Sequence, residues 1–340
     1  MKKVRVAING LGRIGRAFFK LAAKRPEIQL AAVNDLGDIN NLAYLLKYDS
    51  AYGRSGFAIE VKNDKLIVGG QAIIFLQEKE PTKLPWHDLA IDVVVEATGQ
   101  FENYAAAKAH IDAGARKVVI SAPVKGEPVP GIPGATVLMG INEEKLATCQ
   151  ITSNASCTTN SASPVLQILH ETIGIEKAIL NTVHGYTATQ KLVDAPDTRD
   201  FRRGRAAAAN IVPSTTGAAS AVTEAITALE GKFDGIAVRV PVLAGSIADI
   251  TFLARRSTTV EEINRLLKQA AVRPRWQDIF SVTEEPLVSS DIVGSPYASI
   301  VDLALTKVVG GNLVKVMAWY DNEMGYTHTL VDHVIKAGQH

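Results

Sequence analysis

The chain has 340 residues, 47% of them hydrophobic and 21% charged, and its 36 Lys and Arg nearly balance its 35 Asp and Glu. A single core usually stops growing below this length, so two domains are expected, and the near-zero net charge argues against a global basic field that would draw nucleic acid or anionic lipid. Two cysteines and no C-x-x-C pair offer neither a disulfide framework nor a zinc site, so no metal is expected and a reducing compartment is.

The opening "MKKVRVAINGLGRIGR" has no sustained apolar stretch of the signal-peptide kind, and no later segment approaches the roughly 18 apolar residues of a membrane span. A soluble, cytoplasmic protein is expected. Along the first third, Val4 to Asn9 reads as a strand, Ile14 to Lys24 as a helix, Ile28 to Asp35 as a strand and Asn40 to Tyr48 as a helix. That is a βαβ beginning. Phe57 to Phe75 reads as inserted hairpins, after which Asp92 to Glu96, Asn103 to Ala113 and Lys117 to Ser121 resume the strand, helix, strand rhythm. The runs VVV and VVI are apolar throughout, as parallel strands covered on both faces are.

Gly10, Gly12 and Gly15 form G-x-G-x-x-G between the first strand and the first helix. The spacing supplies a tight turn, a bare backbone for a pyrophosphate and close helix packing, with the phosphates at a helix N-terminus. Asp35 stands 20 residues beyond Gly15 at the end of the next strand, where a carboxylate accepts from a ribose 2′-hydroxyl and repels a 2′-phosphate. NAD is therefore favoured over NADP. Thr98 and Ser121 follow two further strands at the carboxyl ends where such sheets bind ligands, and they are expected as lesser contacts or as turn caps.

Cys157 begins a helix pattern running from Thr158 to Thr172, so backbone N–H groups and the positive end of a helix dipole lie near its sulfur and favour thiolate. Its neighbours Ser156 and Thr158 suit both capping and anion contact. Cys149 fits the commoner role of a small buried hydrophobe. A thiolate nucleophile needs a base, and His184 ends an apolar strand pattern at a Thr-rich loop; His87, His110, His170, His328, His333 and His340 sit in polar or helical contexts that read as solvated surface.

Beyond Cys157 come strands at Lys177 to His184, Ile236 to Val242 and Ser246 to Leu253, an Arg-rich loop from Asp197 to Asn210, helices at Gly217 to Leu229 and Val260 to Ala271, and a turn at Gly310 and Gly311. These suit a mixed or antiparallel sheet covered by helices. The fold class expected is α/β: a Rossmann-type doubly wound parallel domain over residues 1–156, rejoined by a C-terminal helix from 322–340, and an α+β catalytic domain over 157–321. "TAT" at Thr187 to Thr189, "STTG" at Ser214 to Gly217, Arg203 and Arg239 supply hydroxyls, amides at a helix start and guanidinium groups, the equipment for phosphate. NAD with a thiolate points to aldehyde oxidation through a thioester, and two phosphate positions point to a phosphorylated substrate and a phosphate nucleophile.

The motifs "INGLGRIGR", "NDL", "LLKYDSAYGR", "EATG", "SNASCTTN", "TVHGYTATQK", "RRGRAAAANIVPSTTGAA", "RVP" and "WYDNEMGY" together resemble the phosphorylating, NAD-dependent glyceraldehyde-3-phosphate dehydrogenase family almost end to end. The resemblance implies Cys157 as nucleophile and His184 as general base. It implies Thr187 and Arg239 as substrate-phosphate contacts, Ser156, Thr158, Thr216 and Gly217 as the inorganic-phosphate site, and Arg203 at one of the two. Asn322 matches the residue that holds the nicotinamide amide, Arg13 and Ile14 those lining the pyrophosphate and adenine, and Leu36 and Pro196 those of NAD-preferring members. It also implies glyceraldehyde 3-phosphate and inorganic phosphate as substrates, a glycolytic role and a homotetramer. Ser161, Met324, "VLAGSIAD" and the Val124 to Thr136 stretch depart from the family pattern. Erythrose-4-phosphate dehydrogenase is the rival enzyme, disfavoured by Thr187, Thr216 and Gly217. A non-catalytic nucleotide- or RNA-binding role on the same fold is disfavoured by the intact Cys157, His184 and Arg239 set and the low net charge.

Overall fold

Six residues with alternating side-chain faces, Val4–Asn9 (β1), start a sheet in which both faces are covered. A computed structural model of the chain describes residues 3–198 and 200–340; Met1 and Lys2 of the opening motif, and Arg199 of the Arg-rich loop, lie outside them. The chain divides into two compact units, the first running to Ala155 and including Thr327–His340, the second spanning Ser156–Tyr326.

In the first unit β1 leads into Arg13–Ala22 (α1), Ile28–Asn34 (β2) and Ile39–Lys47 (α2), followed by a short hairpin, Tyr48–Asp49 (β3) and Gly53–Arg54 (β4). The hairpin region holds Ile59–Lys62 (β5), Lys65–Val68 (β6) and Gln71–Leu76 (β7); β7 also lies parallel to β2, so it extends the main sheet as well as closing a hairpin. Val93–Glu96 (β8), Tyr104–Asp112 (α3), Lys117–Ile120 (β9), Gly134–Thr136 (β10) and Ile151–Ser153 (β11) complete a nine-stranded sheet ordered β10-β11-β9-β8-β1-β2-β7-β6-β5. The order reverses between β1 and β8, which opens a crevice at the carboxyl ends of those strands.

Trp86, Val94, Ala7 and Ala32 pack one core of this unit, and Tyr104, Val118, Ile120 and Ile151 another. The C-terminal helix, Met324–Gln339 (α8), is tied to β11 through His333. Its Nε2 lies 2.7 Å from Thr152 Oγ1 and its Nδ1 lies 3.0 Å from Asn154 Oδ1, while Asn154 Nδ2 donates to Thr329 Oγ1 at 3.2 Å. Burial pushes the His333 imidazole down to about 3, so it is a neutral buried link and not the surface group its helical context indicated.

The second unit opens with Cys157–Thr172 (α4) and Ile175–Gly185 (β12), then Val212–Thr215 (β13), Ala218–Ala225 (α5), Phe233–Val240 (β14), Ser246–Ala254 (β15) and Val260–Ala271 (α6). Phe280–Thr283 (β16), Ser289–Ile292 (α7), Ser299–Val309 (β17) and Leu313–Tyr320 (β18) finish a mixed seven-stranded sheet, β13-β14-β12-β15-β18-β17-β16. β12 is parallel to β14 and antiparallel to β15. The expected helix from Gly217 is shorter than its apolar pattern, ending at Ala225 before a single 3-10 turn at Thr227–Leu229.

Ala155 carries the chain from β11 to α4 in the left-handed conformation, φ 54°, and Ser156 caps the helix. Ser156 Oγ accepts the Thr159 N–H at 3.1 Å, which satisfies one of the donors a helix start leaves unpaired. Cys157 is thereby fixed as the first residue of α4.

The glycines of the first turn divide by role. A Cβ on Gly15 would run into the Gly10 carbonyl, whereas a Cβ on Gly12 would meet nothing within 4 Å. Gly15→Ala is predicted to cost about 2 kcal/mol of stability through overpacking, read as a lower urea midpoint, while Gly12→Ala, which meets no clash, lowers the midpoint far less.

Candidate active site

In the first unit a cavity of about 300 Å3 is lined by Gly10, Gly12, Asp35, Leu36 and Thr98 among others. Asp35 is anchored at both oxygens: Oδ2 accepts the Leu11 N–H at 2.6 Å and Oδ1 the Gly37 N–H at 2.8 Å. Its carboxylate therefore stays beside the glycine turn, and the exposed Leu36 side chain borders it. The residues fit a dinucleotide: an open backbone at Gly12, the N-cap of α1, for the pyrophosphate and a fixed carboxylate for a ribose hydroxyl.

Arg13, Ile14 and Gly15 form the first turn of α1 but do not line this cavity. The Arg13 guanidinium turns to Asp49, 3.0 Å away, and lies over the Tyr52 ring. Ser121 is likewise absent from the lining; its N–H donates to the Glu96 carbonyl and continues the strand pairing, so here it serves the backbone.

Beneath the crevice sits a residue that the sequence reading passed over. Glu96 ends the apolar strand β8, fully buried, and its carboxylate is held by hydrogen bonds from the residues around it. Oε1 accepts the Thr98 N–H at 2.7 Å and the Thr98 hydroxyl at 2.5 Å, while Oε2 accepts Asn9 Nδ2 at 2.6 Å. His110 Nδ1 accepts the Trp86 indole N–H at 3.0 Å, which puts the imidazole proton on Nε2, 3.0 Å from Glu96 Oε2. His110 is thus an interior residue, contrary to the surface expectation, because its face of α3 packs onto Trp86 and Glu96. A carboxylate closing an otherwise apolar strand was the available signal.

In the second unit, Cys157 Sγ lies 3.3 Å from His184 Nε2. The cysteine comes from the start of α4 and the histidine from the end of β12, and Cys157 keeps part of its surface open. Arg239, on β14 opposite His184 in register, places Nη1 2.6 Å from His184 Nδ1 and 3.3 Å from the Gly185 carbonyl. Nδ1 also lies 2.6 Å from the Gly185 carbonyl, which calls for a donor, whereas the guanidinium calls for an acceptor; the two contacts therefore belong to alternative tautomers, and with Arg239 engaged the imidazole proton sits on Nε2, facing the sulfur.

Burial decides the charges. It pushes the Cys157 thiol up, opposed by the positive Arg239 and by the hydrogen bonds of Thr158 and of the helix amides. It also pushes His184 down to about 3, with Arg239 adding to the shift. The amides of the helix start do favour thiolate, in line with the sequence pattern, but they work against a larger desolvation penalty.

Of the expected phosphate contacts, several hydroxyls already have partners. Thr158 Oγ1 is buried 2.9 Å from the Tyr320 hydroxyl, which lies 2.7 Å from Thr182 Oγ1, and the Tyr320 ring meets His184 edge-on. Thr216 Oγ1 accepts the Ala218 N–H at 3.1 Å, and Thr187 Oγ1 lies 2.9 Å from Thr189 Oγ1. Arg203 donates through Nη2 to Ser214 Oγ at 2.8 Å. Gly217 is the N-cap of α5 with open space where a Cβ would stand. Tyr320 was missed because its link to Thr158 spans 162 positions.

Asn322 is held by its carbonyl end: Oδ1 accepts the Gly245 N–H at 3.1 Å and the Ser246 hydroxyl at 3.0 Å. A separate cavity of about 590 Å3, along Lys177–Ile179 and Gly231–Asp234, touches none of these residues.

Removing the charge on Arg239 takes away a force that opposes the upward shift of the Cys157 thiol. Arg239→Gln is predicted to move the pH midpoint of Cys157 alkylation by iodoacetamide upward by about one unit, slowing alkylation about tenfold at pH 8. An unchanged midpoint contradicts this assignment of charges.

The family model described as glyceraldehyde 3-phosphate dehydrogenase, NAD binding domain, matches residues 4–104, and the model of that enzyme's C-terminal domain matches 156–322. The chain is 46% identical to the glyceraldehyde-3-phosphate dehydrogenase of Geobacillus stearothermophilus, over 97% of this chain and 96% of that protein. It is 48% identical to the enzyme of Thermotoga maritima, over 96% of this chain and 97% of that protein, and 46% identical to that of Mycolicibacterium smegmatis, over 99% of each. NAD is the cofactor of the first unit. With two domain models and full-length relatives in agreement, the chain belongs to the glyceraldehyde-3-phosphate dehydrogenase family.

Proposed function

We propose that the chain oxidises D-glyceraldehyde 3-phosphate to 1,3-bisphosphoglycerate with NAD and inorganic phosphate, through a thioester on Cys157. The observation that carries this reading is the 3.3 Å contact between Cys157 Sγ and His184 Nε2 at the start of α4, with Arg239 on the far side of the imidazole.

A substrate phosphate draws Arg239 away from His184, so that Nδ1 holds the imidazole proton, 2.6 Å from the Gly185 carbonyl, and the Nε2 lone pair faces the sulfur. Nε2 takes the thiol proton, the thiolate adds to the aldehyde carbon as the carbonyl π bond breaks, and the imidazolium returns the proton to the oxygen to give a hemithioacetal. His184, neutral again, takes the hemithioacetal hydroxyl proton as the hydride leaves that carbon. NAD, when bound, would supply the hydride acceptor. Inorganic phosphate then attacks the thioester carbonyl and Cys157 leaves as thiolate.

Thr187 and Arg239 are assigned to the substrate phosphate, Ser156, Thr158, Thr216 and Gly217 to the inorganic phosphate, and Arg203 to one of the two. Gly217 supports the assignment with open backbone at a helix start, and Arg203 with a guanidinium fork held by Ser214. Arg13 and Ile14 are assigned to the pyrophosphate and adenine through the first turn of α1, and Asn322 to the nicotinamide carboxamide. A cytoplasmic homotetramer goes with this reading. The exposed Leu192, Val193, Phe201 and Ile211 of the Arg-rich loop region support assembly, Phe201 being 87% exposed.

The test is NADH formation by the purified protein with D-glyceraldehyde 3-phosphate and NAD, with and without phosphate. Multiple turnover is expected only with phosphate, and Cys157→Ser is expected to abolish it. Undiminished turnover without phosphate, or in Cys157→Ser, would remove the thioester route. Asp35→Gly is expected to raise kcat/KM for NADP relative to NAD by at least about tenfold, since a fixed carboxylate no longer faces the 2′-phosphate.

A further inference from the structure

Ser246 opens β15, as the strand expected from Ser246 to Leu253 indicates, and it is buried. Its hydroxyl joins two elements of the candidate site. The Gly185 N–H, next to His184, donates to Ser246 Oγ at 3.2 Å, and Ser246 Oγ lies 3.0 Å from Asn322 Oδ1. A backbone N–H can only donate, so the direction of the chain is fixed: Gly185 gives to Ser246, and the single proton of Ser246 goes to Asn322.

This settles which end of the Asn322 amide points inward. Oδ1 faces two donors, the Ser246 hydroxyl and the Gly245 N–H at 3.1 Å, whereas an NH2 in its place would face both of them unsatisfied. Nδ2 must then project the other way, and it has no protein acceptor among the described residues. Gly245 holds its part of the clamp in a left-handed turn, φ 92°, where a Cβ would strike the Ser289 carbonyl. The Ser246 hydroxyl is the only side-chain member of the clamp.

We infer that Ser246 is a positioning residue for hydride transfer: it locks the Asn322 amide with its two N–H donors outward, so that the group it presents recognises a carbonyl oxygen and fixes the face of the nicotinamide ring. The inference rests on the assignment of Asn322 to the nicotinamide carboxamide made above. Losing the hydroxyl leaves Oδ1 with one anchor, and the amide becomes free to turn over.

Four readouts on the full chain test it: KM for NAD, KM for the aldehyde, acylation of Cys157 by p-nitrophenyl acetate, and the face of the NADH ring that receives deuterium from C1-deuterated glyceraldehyde 3-phosphate. Ser246→Ala is expected to raise KM for NAD about tenfold, the effect of one lost anchor on a buried amide, and to place deuterium on both faces. KM for the aldehyde and the acylation rate stay near their original values. Ser246→Cys, close in volume and a weaker donor, gives the same pattern should the alanine variant fold poorly. The inference is overturned if KM for NAD and the single face are unchanged while Asn322→Ala raises KM for NAD, or if all four readouts deteriorate together. An Asn322→Ala variant with unaltered KM for NAD would instead overturn the assignment of Asn322.

Discussion

Cys157 and His184 meet in surroundings that penalise charge on either partner, and the proposed thioester route needs charge there. Desolvation pushes the thiol up and the imidazole down, so the ligand-free pair rests neutral. Charge becomes available through groups that touch the pair: the amides at the start of α4, the Thr158 hydrogen bond and the Arg239 guanidinium. Arg239 has a double part in this, since its positive charge favours thiolate while it also donates to His184 Nδ1. In the proposed mechanism a phosphate that moved Arg239 would tie the chemistry to the presence of the right substrate.

The supporting structure serves that arrangement. The left-handed Ala155 and the Ser156 cap start the helix at Cys157, the parallel register of β12 and β14 sets Arg239 opposite His184, and Tyr320 braces Thr158 and Thr182 behind the imidazole. In the first unit an interior carboxylate, Glu96, holds Thr98 and Asn9 beside the glycine turn, while Asp35 faces the cavity with both oxygens anchored. The two acidic groups differ in purpose: one is spent on internal donors, the other stays at the cavity lining.

Much of this could be read from the chain because it is encoded locally. The glycine spacing, Asp35 at the end of the second strand, Cys157 at a helix start and His184 at a strand end are each short-range patterns with one physical cause. The long-range partners could not be read this way. Tyr320, Ser246 and Glu96 act through contacts that only the folded sheets create, and His110 and His333 look like surface residues because a helical pattern does not say which face is covered. The hydroxyls of Ser156, Thr158 and Thr216 likewise carry no local mark showing that caps and core contacts hold them. The turn at Gly310 and Gly311 is legible, but the strands β17 and β18 that flank it are not, since both are long runs of mixed polarity.

The central claim is that a single sulfur carries the oxidised substrate before phosphate releases it. The direct measurement is mass spectrometry of the protein quenched in acid after mixing with NAD and D-glyceraldehyde 3-phosphate in phosphate-free buffer, followed by peptide mapping. The account predicts one phosphoglyceroyl group per chain on Cys157, lost when phosphate is added before the quench. An unmodified Cys157 during the formation of one equivalent of NADH, or an adduct mapped to Cys149, would contradict it.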